Sequence, residues 1–391
     1  MIRSVMACVA LLAIPPVGTR AQQVPPAPPS IPPAALQPPV LDEVSLVAQG
    51  WLLLSQGSAV PAAARARDAL QRAPSYGGAV TLLIEAELLR GGTGSGLAEY
   101  ERWLGARTLE EPLLLRRIAR AALREDAKSA DAAVKAAALG ALAEDGDTAA
   151  AEELSKAMKA GDPAATRALA QNGNAAAVRA LIDKLNAGST DPLGTFDVLA
   201  HTRSRQAISA VRERLRDRRP EVRGSAAEAL GKMDAKDAAE ELRALTKDEN
   251  GFVSGRAALA LARLGDSDGL AYAQELARGT SAPGRLIAAD AMSANPNPAW
   301  VELVRGLTSA SEPEVRLGAA RLIAPVDPAL AESVVSSFQN SENPALRDLA
   351  ADTTVAVARR SRDLRRLRAL LHSPNPSERV GAATEILALT R

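Results

Sequence analysis

The chain has 391 residues, a length that would suit two or three ordinary domains. Its 47 Lys+Arg against 46 Asp+Glu leave a net charge of +1, which excludes a polyelectrolyte, and 47% hydrophobic with 24% charged residues excludes a disordered composition. Aromatic residues are only 2%, with two His and one Cys, so a His/Cys metal site or a cysteine nucleophile starts with poor odds.

The N-terminus reads as an export signal over 1–21. Arg3 supplies a positive start, Val5 to Ile14 is a short apolar run, and Thr19-Arg20-Ala21 is a small-residue cleavage site. Ten apolar residues are too few to span a bilayer. Cleavage after Ala21 removes Cys8 and leaves a chain without thiols or an integral membrane span, suited to an oxidising compartment, periplasmic or secreted. Residues 22–41 follow as a Pro-rich linker. Eight Pro in the sixteen positions 24–39 forbid helix and sheet alike, so an extended tether is expected.

Residues 42–110 carry Gly50, Gly57, Ala62, Ala69 and Pro74 at alternating spacings of 7 and 5. The stretch LLIEAELLRGG followed by GLAEYERWLGA reads as a second copy, with Tyr100 and Trp103 as packing aromatics. The pattern resembles tetratricopeptide repeats, which implies two helix pairs joined by close crossings. A junction helix is expected over 111–129.

From about residue 130 one element recurs: RGSAAEAL from Arg223, SGRAALAL from Ser254, RLIAADAM from Arg285, RLGAARLI from Arg316, RDLAADTT from Arg347 and RVGAATEI from Arg379. The intervals are 31, 31, 31, 31 and 32, with weaker copies at Lys135, Arg167 and Thr195. Each unit reads as two short helices. In 220–247, Pro220 opens a helix whose apolar stripe is Val222, Ala226, Ala227 and Leu230; Gly231 and Asp234 are read as the break; Ala238, Leu242 and Leu245 form the second stripe. Paired alanines let the neighbouring helix approach closely, which accounts for the scarcity of aromatics. No unit can bury its own apolar face, so the units must stack into a solenoid over 130–391. The motifs PEVRGSAAEAL and PEVRLGAA resemble HEAT repeats in the short form of the phycobilisome-lyase type. That resemblance implies an all-α, right-handed α-solenoid with first helices on the convex side and second helices on the concave side. The last unit ends at Arg391 without a full second helix, so a half-capped end or a docking edge is expected there.

Little in the chain promises catalysis. The Gly91 to Gly96 run follows a helix and has no Lys, so it reads as a helix linker rather than a phosphate loop. His201 and His372 lie several repeats apart and cannot share a metal, and no G-x-S-x-G occurs. Adjacent carboxylates such as Glu240-Glu241 point about 100° apart on a helix. Two basic clusters stand out, over 203–223 and 359–368, each with a net charge of +5. The candidate partner-binding residues are Arg212, Arg216, Arg243, Arg365 and Arg368, with Tyr272 and Trp300 as apolar anchors. Catalytic residues, metal and cofactor: none are expected. The expected function is an exported, non-catalytic scaffold or adaptor holding a protein partner on the concave face. The alternatives are binding of an anionic envelope polymer or lipid through the Arg clusters, or a bilin-lyase-like enzyme as the resemblance implies. Nucleic acid is not expected, since base-stacking aromatics are missing.

Overall fold

Helix-forming Ala and Leu, with Asp or Asn before Pro at the turns, give a chain of helices in the computed structural model. It describes residues 42–391 apart from 106–108, 188–191, 203 and 295. The export signal and the Pro-rich linker lie outside the described residues. The first helices are α1 (Glu43–Ser55), α2 (Ala59–Arg72), α3 (Gly77–Leu104) and α4 (Pro112–Asp126). Pairs of helices follow: α5 (Ala132–Glu144) with α6 (Thr148–Lys159), α7 (Pro163–Gln171) with α8 (Ala175–Asn186), and α9 (Pro192–Ala200) with α10 (Arg205–Glu213). Next come α11 (Pro220–Lys232) with α12 (Ala239–Leu245), α13 (Gly251–Arg263) with α14 (Ser267–Arg278), and α15 (Ala282–Ala291) with α16 (Pro298–Leu307). The last are α17 (Pro313–Ile323) with α18 (Pro328–Ser336), α19 (Pro344–Ser361) with α20 (Leu364–Leu370), and a single closing helix, α21 (Pro376–Leu389). The chain is an α-solenoid.

Capping punctuates it. Asp131, Asp147, Asp162, Asn174, Asn250, Asp266, Asn343 and Asn375 each accept a backbone N–H from the first turn of the helix they precede. Pro220, Pro313, Pro344 and Pro376 stand at helix starts, where a missing N–H costs nothing.

The recurring Arg has a mechanical role. Arg223 donates from Nη1 to the carbonyls of Asp217 and Arg218 at 2.9 and 3.1 Å, clamping the turn that precedes its helix. Its Nε and Nη2 form a fork on Asp248 of the next turn at 2.8 and 2.9 Å. Arg347 repeats the clamp on the carbonyls of Ser341 and Glu342. Arg316 instead lies over the Phe338 ring, 4.6 Å from its centroid. The alanine pairs Ala226/Ala227, Ala288/Ala289, Ala319/Ala320 and Ala382/Ala383 are fully buried. Gly231 does not break its helix, contrary to the sequence reading. It sits inside α11, where an added Cβ would lie 2.8 Å from the Cα of Ala260 on α13, so glycine serves helix contact there. The break falls at Asp234, whose φ is +52°.

The stack is closed. α21 packs against α20 and α19 as any first helix does, and also against α4 and α5. α4 therefore occupies the place of the missing second helix of the last repeat. Of the two expectations for this end, half-capped or a docking edge, the first is corrected: the junction helix docks there as the cap. Leu115, Ile118, Ala119 and Leu123 of α4 share one buried core with Val380, Ala382, Ala383, Ile386 and Leu387 of α21. Arg379 clamps the carbonyls of Ser373 and Pro374 at 2.9 and 3.1 Å and forks onto Asp126, which stands where Asp248 stands for Arg223. Arg116 donates to the Leu387 carbonyl at 2.8 Å, and Arg391 pairs with Glu144 at 2.9 Å.

Consecutive first helices touch one another almost throughout, as α5 with α7, α9 with α11, α11 with α13 and α17 with α19. Second helices are set apart by grooves, α8 with α10 being the pair that packs closely. In a closed circuit the layer whose members touch has the shorter path, so the first helices form the inner layer. This reverses the orientation implied by the HEAT resemblance. Electrostatics agree. Asp352 on α19 and Glu385 on α21 are pushed above the usual carboxylate range by desolvation, as expected on a confined inner wall.

Candidate functional site: grooves on the outer layer

With the first helices packed inward, open surface concentrates between second helices and between α3 and α4. Each groove is built differently.

The groove between α10 and α12 holds about 460 Å³ and is lined by Arg212, Arg216, Glu241 and Leu245. Arg212 and Arg216, four residues apart, both reach this groove, although α10 gives way to a 3-10 turn at Arg214–Arg216. Arg212 is paired with Glu241 across the groove. The Arg212 guanidinium holds the Glu241 carboxyl below its ordinary range, with Arg216 adding to the effect. Much of the rest of the 203–223 cluster is already paired. Arg214 donates to Asn186, Arg219 pairs with Asp217, and Arg223 with Asp248. Arg243, also singled out, forks onto Asp266 at 2.8 and 3.1 Å. Asp266 is held low first by the backbone N–H of Gly269 and then by Arg243.

The groove between α14 and α16 holds about 420 Å³. Leu270, Ala277, Ala291, Met292, Trp300 and Leu303 give it apolar walls, with Gln274, Arg278 and Asn297 at the edge. It lies where the apolar core is interrupted. The buried cluster that includes the closing seam reaches Leu261 on one side, another runs from Ala289 to Val357, and a small one of Leu259, Ala262, Ala273 and Ala291 lies between Leu261 and Ala289. Trp300 is a wall of this cleft, not a projecting anchor: it is 5% exposed and donates from Nε1 to the Ala289 carbonyl at 2.8 Å. Tyr272 on α14 is 41% exposed and rests its hydroxyl over Gly255 of α13.

Of the second basic cluster, Arg368 is half-buried at the closing seam, paired with Glu101 at 3.0 Å and Glu110 at 3.2 Å. Arg365 is exposed, and its backbone N–H donates to Asp363. Arg366 pairs with Glu332. His372 faces Glu101 at 3.1 Å, while Nδ1 of His201 lies 2.7 Å from the Asp197 carbonyl at the end of α9. The structure brings Arg212 and Arg216 together. Trp300 lines a different groove, between α14 and α16.

The third groove, between α3 and α4, was missed by the sequence reading. It holds about 730 Å³ and is lined by Arg116, Arg117, Arg120, Arg124 and Lys128 of α4 and the segment after it, with Leu89 and Leu113 at its lips. The signal was present as a basic residue at 116, 120, 124 and 128, every fourth position. The glycine run that ends this groove is a helix break, not a ligand loop. Gly92 has φ +73°, and a Cβ there would collide with Glu125. Glu125 accepts the Thr93 N–H at 2.6 Å, so the start of the second half of α3 already has a carboxylate.

Among the described residues no group of His, Cys, Asp and Glu is placed to hold a metal, and no helix is long and apolar enough to cross a membrane. The HEAT repeat family model matches residues 196–251 and 208–294. Human deoxyhypusine hydroxylase in complex with glycerol is similar at 19% identity, over 58% of this chain and 90% of that one, with a TM-score of 0.32. The complex of CpcE and CpcF of phycocyanin lyase from Nostoc sp. PCC7120 is similar at 20% identity, over 62% of this chain and 96% of that one, with a TM-score of 0.37. No curated protein matches the sequence.

Proposed function

We propose that this HEAT-like repeat protein is an exported, non-catalytic scaffold that holds a protein partner on the grooves of its outer layer. A repeat solenoid suggests an interaction scaffold in general, because it offers extended surface rather than one enclosed cavity. The observation that carries the narrower reading is the α14–α16 cleft. Its walls are apolar, it is open to solvent, and its volume is that of a site for one or two large side chains. The export signal at 1–21 supplies the address. The concave face first expected to bind is replaced here by the outer grooves, since the inner layer is made of touching first helices.

The test is a crosslinking capture of the tagged protein from its native envelope fraction, with the bound species identified by mass spectrometry. One dominant protein that survives high salt, and is lost when Ala277→Trp fills the cleft, supports the scaffold. Capture of lipid or wall polymer alone, released by salt, overturns it and moves the assignment to the Arg clusters.

A further inference from the structure

We propose that the groove between α3 and α4 is a docking site for an acidic, amphipathic segment of a protein partner. This deepens the scaffold reading and rests on it.

Charge and shape both point there. Arg116, Arg120, Arg124 and Lys128 follow one another at intervals of four and so lie along one side of α4 and its continuation. Their carboxylate partners lie deeper in the molecule than they do. The Asp145 side chain, which takes Arg116 and Arg120, is fully buried, and Asp147, 3.4 Å from Arg124, is 17% exposed. Arg124 itself is 60% exposed, and the Lys128 side chain is exposed with no ion pair among the described residues. Two carboxylates also line the groove, Glu85 paired with Arg117 and Glu125 accepting the Thr93 N–H, so five basic residues face two acidic ones and the groove is net cationic. Leu89 on α3 and Leu113 on α4 flank it at 61% and 65% exposure. Single exposed leucines are ordinary, but two on opposite walls of a cationic groove match a ligand with an apolar row edged by carboxylates. The concave form favours a peptide segment over a flat anionic membrane, whose headgroup plane cannot enter between two helices.

The probe is a fluorescent peptide of about 16 residues, with Leu at helical i, i+3, i+4, i+7 spacing and Glu elsewhere, titrated onto the purified full chain. Binding is expected to weaken about tenfold or more in the Arg124→Glu, Lys128→Glu double variant, and to fall steeply with salt. Both residues are exposed, so the thermal midpoint should move little; Arg179→Glu, exposed on α8 and outside every groove described, should leave binding unchanged. A peptide with Lys in place of Glu should not bind. Equal binding by the double variant overturns the proposal, as does no binding of the acidic peptide. Binding confined to phosphatidylglycerol vesicles overturns it in favour of a membrane. None of these failures touches the envelope-capture result, which tests the scaffold reading by itself.

Discussion

Two seams of the same stack can be set side by side: α11 on the turn that precedes α13 inside the repeat array, and α21 on α4 where the array closes. The side chains are nearly interchangeable. Arg223 clamps two carbonyls and forks onto Asp248; Arg379 clamps two carbonyls and forks onto Asp126. Leu230 and Ile386 are both fully buried. What differs is the chain between the partners. Arg223 and Asp248 are 25 residues apart, Arg379 and Asp126 are 253. Bringing the distant pair together costs a flexible chain about 2 kcal/mol more in loop entropy. The closing seam should therefore form late and depend on the rest of the stack. The difference shows that one contact set can serve as a local link or as a fastener for the whole array.

The comparison can be broken most directly by removing α21. Truncation before Pro376 bares the apolar face of α4 and forfeits the burial of Val380, Ile386 and Leu387. A loss of at least about 5 kcal/mol is expected in urea unfolding, with the largest rise in hydrogen exchange in α4 and α5. If α4 keeps its protection, the closure is not structural. Next in size are Ile386→Ala and Leu230→Ala, each expected to cost about 2–5 kcal/mol. Equal losses would mean that the two seams belong to one cooperative unit, whereas a separate early transition in the Ile386 variant would mean the closing seam opens by itself.

Smaller substitutions sharpen the contrast. Gly231→Ala must push against the Cα of Ala260, so about 1–3 kcal/mol is expected. Gly381→Ala meets only the Val355 side chain, Cγ1 at 3.1 Å and Cγ2 at 3.3 Å, rather than backbone, and should cost less than Gly231→Ala, about 1 kcal/mol. Reversal of that order in thermal unfolding would contradict the close backbone approach of α11 and α13. The smallest effect concerns pH. Arg223 holds the Asp248 carboxyl below its ordinary value. A depressed folded pKa contributes stability that is fully present above the unfolded value, near about pH 4, and is lost as pH falls through the folded value. Stability measured between pH 5 and pH 2 should thus fall less in Asp248→Asn than in the unaltered protein; parallel curves would remove Asp248 as a contributor.

Much of the repeat array is legible in the amino-acid sequence, because the units reuse similar contacts. An Ala pair that meets the next helix recurs at the repeat spacing, and the Arg before it clamps its own preceding turn at Arg223, Arg347 and Arg379. The candidate site was legible only in part. Arg212 and Arg216 stood out as a cluster, but their groove also depends on Glu241, 29 residues beyond Arg212. Arg–carboxylate pairs at about one repeat length, such as Arg212–Glu241, Arg223–Asp248 and Glu228–Arg256, were the available clue that the cluster is largely spent on neighbours. Trp300 was rightly marked as unusual in an aromatic-poor chain, but whether it projects or lines a cleft is settled by the Ala289 carbonyl that binds its Nε1.

The sequence by itself determined the helices, their caps, their pairing and the stacking of pairs, because those rest on contacts within one or two repeat lengths. Tertiary structure alone decided that α4, which carries no repeat signature, completes the last repeat. It also decided which helix layer lies inward, and that Gly231 serves a close approach rather than a break. Each of these depends on how small offsets between successive repeats accumulate around the stack. No local pattern records that sum, and in this chain it brings residue 379 back to residue 126.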